Sequence, residues 1–250
     1  MKYYVVSDIH GFYTAFRAAL TAAGFDDDTG EKKIIILGDL FDRGSEAIKL
    51  QNYILHLMHE GLVILVKGNH EELFEDLVTV DKGIPLGHHI SNGTYDTALQ
   101  LTGMQLRSAI RDQRTFVEKM WLTPYYQKII PAMVDYFETE HYVFTHAWIP
   151  CYKSYGDDYD YNPDWRNASE KAWRSARWIN PMEAVQTARE PEKNIVCGHW
   201  HASYGHSTYE HRGSEFGDDA DYSPYIAPGI IAIDACTAHT GMVNCIVIKD

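Results

Sequence analysis

The chain has 250 residues, 45% hydrophobic and 23% charged, and its 35 acidic against 22 basic side chains give a formal charge of −13 at pH 7. This composition excludes the disordered, collagenous and disulfide-dense classes and admits one large domain or two small ones. So acidic a balance also disfavours a general nucleic-acid or anionic-membrane binder, because the summed field repels either polyanion.

No apolar run approaches the roughly 18 residues of a membrane span, and the run from Met1 to Val6 leads straight into Ser7, Asp8 and His10, leaving no room for a signal peptide. The expectation is a soluble, cytoplasmic protein with neither membrane nor nucleic acid as partner. Cys151, Cys197, Cys236 and Cys245 form no C-x-x-C pair and read as reduced thiols without a chemical role.

Tyr3 to Ser7 is a short run of β-formers. Residues 13 to 24 then place Phe16, Ala19, Leu20 and Ala23 at helical spacing before Gly24. The pattern recurs: Lys33 to Leu37 reads as a strand ending at Gly38, residues 45 to 59 as a helix stopped by Gly61, and Leu62 to Val66 as a strand ending at Gly68. Such alternation predicts βαβ units and a largely parallel α/β sheet covered on both faces. Residues 72 to 141 read as a helical insertion that shapes a substrate groove, with Leu99, Leu101, Ile110, Phe116 and Trp121 buried. Two more strands, Tyr142 to Phe144 and Ile195 to Cys197, follow. Residues 202 to 228, rich in Gly, Ser, Tyr and Asp, read as a long surface loop, and Gly229 to Lys249 as a terminal hairpin turning at 237–241.

Each of the five main strands ends in a polar cluster: Asp8-Ile9-His10-Gly11, Gly38-Asp39-Leu40-Phe41-Asp42-Arg43-Gly44, Gly68-Asn69-His70-Glu71, Thr145-His146-Ala147 and Gly198-His199-Trp200-His201. Ligands of open α/β sheets sit at the carboxyl ends of strands, so these clusters are expected to converge. Together they supply carboxylate, amide and imidazole donors without a thiolate, a set that suits Mn, Fe or Zn. One metal cannot use them all, whereas two can, and an adjacent pair is the arrangement that clamps an in-line phosphoryl displacement.

On these motifs the chain resembles the calcineurin-like metallophosphoesterases, most closely the phosphoprotein phosphatase (serine/threonine phosphatase) group and its bacterial members. D-x-H, G-D-x-x-D-R-G and G-N-H-E are matched in order, with H-A and G-H later, and Ile233-Asp234 resembles the closing strand. The resemblance implies a single domain over residues 1 to 250 with a central β-sandwich of mixed sheets flanked by helices. It further implies Asp8 and His10 on a first metal, Asp39 bridging, and Asn69, His146 and His199 on a second. His70 would be the general acid oriented by Asp42, and Arg43 would grip phosphate oxygens. A second phosphate arginine is usual beside a tryptophan, and Arg177 matches it better than Arg174.

Two positions depart from the pattern. Trp148 replaces the glycine of H-A-G, which would alter the loop wall near the second metal. His201 adds the second histidine of G-H-x-H, expected here to complete the first metal's shell. Gly38, Gly44 and Gly68 read as tight-turn residues, and His88, His89, His206, His211 and His239 as solvated loop histidines. The acidic runs 26–28, 157–160 and 218–221 read as solvated loops. The implied function is a two-metal phosphomonoesterase of the serine/threonine phosphatase type, using Mn or else Fe or Zn, on a phosphorylated peptide or small phosphoester. The alternatives are symmetrical hydrolysis of diadenosine tetraphosphate, whose enzymes generally lack an acid at the position of Asp42, and a non-catalytic metal-binding scaffold.

Overall fold

Strands apolar at consecutive positions need cover on both faces, and two stacked sheets flanked by helices supply it. The computed structural model describes residues 1–154 and 158–250; Asp157 of the expected acidic run lies outside them. β1 (Lys2–Val6), β2 (Lys32–Leu37), β3 (Val63–Val66) and β11 (Cys245–Lys249) form one sheet in the order β11-β1-β2-β3. Its first three strands run parallel, and β11 lies antiparallel along β1. The second sheet holds β4 (Phe137–Glu138), β5 (Tyr142–Phe144), β8 (Asn194–His201), β9 (Tyr225–Ala227) and β10 (Ile230–Asp234) in the order β4-β5-β8-β10-β9. Here β5, β8 and β10 are parallel and the edge strands antiparallel. β6 (Tyr152–Lys153) and β7 (Tyr159–Asp160) make a separate ribbon.

Side-chain alternation divides the core into layers. Tyr3, Val5, Ile35, Leu37 and Val66 of the first sheet meet Phe144, Val196 and Ile233 of the second. The intervening residues Tyr4, Val6, Ile34 and Ile36 face outward onto α1 (Tyr13–Ala22) and α2 (Ala47–His59) through Phe16, Leu20, Leu50 and Ile54. On the opposite side, Val143, Ile195, Cys197 and Ala232 pack with Trp173 of α8 (Glu170–Ala176), Met182 of α9 (Pro181–Thr187), and Trp148 and Trp165. Phe16 and Leu20 are one helical turn apart and fully buried, each burial contributing about 1.5–3 kcal/mol. Phe16→Ala is the single change that would open this layer, at about 3–5 kcal/mol.

The β-sandwich of mixed sheets is therefore present, whereas the single parallel sheet suggested by strand rhythm alone is not. Double-sided burial looks the same in sequence whether the second cover is a helix or another sheet. The expected terminal hairpin also dissolves, for β10 and β11 belong to different sheets and α11 (Thr237–Thr240) lies between them.

The helical stretch consists of α3 (Asn69–Thr79), α4 (Gly87–Ser91), α5 (Thr94–Thr102), α6 (Leu106–Arg111) and α7 (Gln113–Trp121). Tyr95, Ala98, Ala109, Phe116 and Met120 join the core under α1 and α2. Phe116 is buried as expected, Leu99 and Leu101 are half-buried, and Ile110 and Trp121 are exposed. Residues 202–228 are not simply a surface loop, since α10 (Ala202–Tyr209) opens them and β9 lies within them. Their polar composition hides internal partners: buried His206 meets Glu210 Oε2 through Nδ1 at 2.8 Å and the Ser223 carbonyl through Nε2 at 3.0 Å. His89 is likewise buried, its Nε2 2.7 Å from Asp81 Oδ2. In the acidic runs, Asp28 accepts from Lys2 and Tyr4, Asp26 from Arg17, and Asp221 pairs with Arg212. Among the described residues no helix is long and apolar enough to cross a membrane.

Candidate metal centre

The parallel strands of both sheets deliver their polar clusters to one place, and the backbone there is strained. Asp8, His10, Asp39, Asp42, Arg43, His199 and Cys236 all have left-handed φ between +49° and +77°. L-residues adopt that region at a cost that surrounding structure must over-determine, and such residues concentrate at functional sites.

Two groups of donors face each other across Asp39. His10, Asp39 and His70 offer ligand atoms within 4.8 Å of one another, and so do Asp39, His146 and His199. The two oxygens of Asp39 divide between them: Oδ2 lies 3.8 Å from His10 Nε2 and 3.7 Å from His70 Nε2, and Oδ1 lies 3.5 Å from His146 Nε2. Asn69 Oδ1 is 2.7 Å from His146 Nε2 and 3.1 Å from His199 Nδ1. The far ring nitrogens are already spent. His10 Nδ1 donates to the Phe41 carbonyl at 2.9 Å and His146 Nδ1 to the Leu37 carbonyl at 2.7 Å. Those bonds fix the tautomer and leave an Nε2 lone pair turned into the cluster, as in metal-bound histidines.

The electrostatics point the same way. Burial, then the neighbouring Asp234, pushes the Asp8 carboxyl well above its usual range; burial, then Asp8 and Glu71, does the same to Asp39. Burial, then His70, holds His10 well below 6.5; burial, then His199, does so for His146. Burial, then His70, brings His199 down to about 4. Neutral His146 Nε2 and Asn69 Oδ1 are thus two acceptors 2.7 Å apart with no hydrogen between them. A cation relieves that opposition and the carboxylate repulsion together, so the residues fit a pair of divalent metals.

Asp8 is buried and adjacent, with Oδ2 accepting the His199 N–H at 2.9 Å, but it belongs to neither three-residue group. His70 Nδ1 lies 2.7 Å from Asp42 Oδ2, which also accepts the Thr94 hydroxyl at 2.6 Å; the Asp42 N–H donates to Thr97 Oγ1 at 2.9 Å. Arg43 is exposed, its Nη1 3.5 Å from His10 Nε2. Glu71, completely buried, clasps three strand-end amides: Asp39 N at 3.0 Å, Leu40 N at 3.0 Å and Gly68 N at 2.8 Å. Sequence reasoning missed the roles of Thr94, Thr97 and Glu71. Glu71 was visible in G-N-H-E, but nothing marks threonines 52 and 55 residues from their partner.

Gly38 is a turn glycine with φ +81°, as expected, but Gly44 and Gly68 are not. A Cβ on Gly44 would stand 2.4 Å from the His10 carbonyl oxygen and one on Gly68 2.2 Å from Asp39 Oδ1, so close approach excludes a side chain there. Trp148 does not form a loop wall. It is buried among the tryptophans under the second sheet and donates through Nε1 to the Ala188 carbonyl at 3.3 Å.

Arg177 is not brought into the cluster as a free phosphate binder. It is buried, donating to the Lys67 carbonyl at 3.1 Å and pairing with Glu72 and Asp135. Arg174 pairs with Asp76 at 2.8 Å. His201 does reach the site's edge, but its Nε2 lies 2.9 Å from Glu215 Oε1, which leaves Nδ1 as the uncommitted nitrogen. A cavity of about 190 Å³ opens there, bounded by His10, Arg43, His199 and His201, with Trp200, Asp234 and Thr237 on its remaining sides. Cys236 also lines it, and burial together with Asp234 holds its thiol at about 11, so the cavity carries no thiolate at neutral pH. Burial raises Asp234 to about 6.

Residues 1–240 match the calcineurin-like phosphoesterase family, and the chain belongs to that family of metallophosphoesterases. It is 27% identical over 133 residues to the asymmetrical bis(5'-nucleosyl)-tetraphosphatase PrpE of Bacillus velezensis, covering 50% of this chain and 51% of that one. It is 36% identical over 84 residues to the symmetrical bis(5'-nucleosyl)-tetraphosphatase of Buchnera aphidicola, covering 34% and 28%. The matches thus span about half of the first relative's length and less of the second's. Among solved structures, a candidate diadenosine tetraphosphatase shares the fold with TM-score 0.52 and 15% identity over 99% of this chain and 89% of that chain. The cold-active protein-tyrosine phosphatase of a psychrophilic Shewanella does so with TM-score 0.53 and 15% identity over 100% and 75%. The family is one of phosphoesterases, and His10, Asp39, His70, His146 and His199, whose donor atoms lie close together here, all fall within the strand-end motifs.

Proposed function

We propose that the protein is a two-metal phosphohydrolase acting on small nucleoside polyphosphates of the dinucleoside tetraphosphate kind, in the cytoplasm. The observation that carries the two-metal reading is the division of the Asp39 oxygens between the two histidine groups, the disposition a bridging carboxylate requires. The substrate class is supported by the likeness to two kinds of tetraphosphatase.

Asp8 and His10 would hold one ion, Asn69, His146 and His199 the other, with Asp39 shared and His201 available through Nδ1. When bound, the two divalent ions, Mn being the first choice and Fe or Zn the others, supply Lewis acidity and lower the pKa of bound water. Arg43, exposed at the rim, grips non-bridging phosphate oxygens through its planar fork. With Nδ1 paired to Asp42, His70 presents Nε2 to the cluster, where it delivers a proton to the departing oxygen. Asp42 in turn is fixed by Thr94 and Thr97.

A second reading, a phosphomonoesterase of the serine/threonine phosphatase type, is favoured by that same His70–Asp42 pair. A departing alkoxide needs a general acid, whereas a departing nucleotide phosphate leaves readily as an anion. One preparation loaded with Mn²⁺ and offered diadenosine tetraphosphate and a phosphoserine peptide separates the two. Cleavage of the dinucleotide, to two ADP or to ATP plus AMP, with little phosphate from the peptide is the expected result. Rapid release from the peptide alone would overturn the ranking.

A further inference from the structure

The cavity beside the candidate metal centre holds polar hydrogens with nowhere to go. Thr237 is 1% exposed, and its hydroxyl has no hydrogen-bond partner among the described residues. Trp200 Nε1 is likewise buried without an acceptor among the described residues. Both residues line the cavity, and so does Arg43. An indole N–H can only donate, and a hydroxyl left unpaired within the protein is costly unless something from outside satisfies it. The shared demand is for a ligand rich in acceptor oxygens, which a phosphate group meets.

From this cavity a row of rings runs outward. Trp200 and His201 are stacked, their centroids 6.0 Å apart and their planes 23° from parallel. His201 is followed by Phe216 at 4.7 Å. Phe216 ends the row 54% exposed, a large apolar ring facing water at the mouth of a polar site. Its position is fixed: Glu215 holds His201 through its carboxylate and accepts the Ser203 hydroxyl at its carbonyl at 2.7 Å, and the Phe216 carbonyl accepts Ser214 Oγ at 2.6 Å. Half-exposed aromatic rings are stacking faces for nucleobases, whose attraction is insensitive to base identity.

We propose that this cavity and ring row form the nucleotide-recognition subsite, with a substrate phosphate accepting from Thr237 Oγ1 and Trp200 Nε1 and an adjoining base stacked on Phe216. The proposal rests on the nucleoside polyphosphate reading for the substrate's class, and adds which residues recognise the nucleoside and which the phosphate. It makes Phe216 a specificity residue rather than a catalytic one. Trp178, which rests edge-on against His199 at 6.1 Å and is half-exposed, is the competing platform.

The test compares the metal-loaded wild type with Phe216→Leu, Trp178→Leu, Thr237→Val and Thr237→Ser on diadenosine tetraphosphate and on inorganic tripolyphosphate, which has phosphates but no ring. Phe216→Leu is expected to raise KM for the dinucleotide roughly 5- to 100-fold at nearly constant kcat, while leaving tripolyphosphate kinetics within about twofold. Thr237→Val is expected to raise KM for both substrates and also to raise Tm, because it removes an unsatisfied hydroxyl; Thr237→Ser keeps the wild-type KM. An unchanged KM in Phe216→Leu, a loss shared equally with tripolyphosphate, or a loss confined to Trp178→Leu overturns the base assignment. A higher Tm with unchanged KM in Thr237→Val overturns the phosphate assignment. Should the wild type cleave no dinucleotide, the broader reading fails by itself, and competitive inhibition of its ester turnover decides the subsite. ADP inhibiting more strongly than pyrophosphate, with the difference abolished by Phe216→Leu, upholds it; equal inhibition overturns it.

Discussion

His70 Nδ1 lies 2.7 Å from Asp42 Oδ2, and the Thr94 hydroxyl donates to that same oxygen at 2.6 Å. The imidazole is thereby fixed by a carboxylate that is itself fixed from a helix of the 72–141 stretch. General acid catalysis by a positioned histidine contributes typically 10²- to 10⁴-fold. His70→Ala is expected to lower kcat by about that factor on alkyl phosphates and much less on p-nitrophenyl phosphate, whose leaving group needs no proton. Asp42→Asn and Thr94→Val are expected to follow in diminishing order on the same pair of esters. Equal losses on both would show that His70 acts by holding metal instead of moving a proton, a role its 3.7 Å approach to Asp39 Oδ2 also permits.

The sharing of Asp39 between two donor groups predicts the metal stoichiometry. Asp39→Asn is expected to bring bound Mn²⁺ down from two ions toward one or none, measured by elemental analysis after gel filtration, with activity falling in parallel. Gly198→Ala tests the neighbouring carboxylate without touching its charge. A Cβ there would stand 2.1 Å from Asp8 Oδ2 and must displace it, so occupancy of the first site is expected to fall while the second holds. Full retention of two ions in Gly198→Ala would remove Asp8 from the ligand set.

Glu71 is a structural prediction of a different sort. Its carboxylate accepts the amides of Asp39, Leu40 and Gly68 and a hydroxyl proton from Tyr125 at 3.2 Å, tying the end of β2 to the start of α3. Hydrogen bonds to charged groups are worth about 1.5–3 kcal/mol each. Glu71→Gln turns one acceptor into a donor facing donors, and is expected to cost about 2–4 kcal/mol. For a chain of this size that is a fall in Tm of roughly 4–16 °C by calorimetry. A change below about 1 °C would mean that the amides find other partners.

How much of this was legible in the sequence follows from the range of each signal. Strand-end motifs are local, so Asp39, Asn69, His146 and His199 could be read by position and are brought together as expected. The division of strands into two sheets was not readable from periodicity, because Val5 and Tyr4 are equally apolar whether they face a sheet or a helix. Arg177 shows what local spacing leaves out: its place in the Trp173–Trp178 segment is readable, but its pairing with Glu72 and Asp135, 105 and 42 residues away, is not. Thr237 was hidden for the same reason, since an unpartnered hydroxyl is a property of surroundings and leaves no trace in composition.

The buried charges also fix how metal uptake depends on pH. His10, His146 and His199 are held below their ordinary value, the last at about 4, so at pH 6 to 8 they are neutral and have no proton to surrender. Asp8 and Asp39 are displaced the other way, well above the ordinary carboxyl range, so a fraction of them is protonated in the metal-free protein. That fraction grows as pH falls, and a divalent ion must expel those protons to bind. Calorimetric titration with Mn²⁺ in buffers of different ionisation enthalpy is therefore expected to find more protons released per protein at pH 6 than at pH 8, with weaker affinity at the lower pH. Asp39→Asn is expected to remove part of that release. A release at pH 6 no larger in the wild type than in Asp39→Asn would instead mean that the Asp39 carboxylate is already charged before any metal arrives.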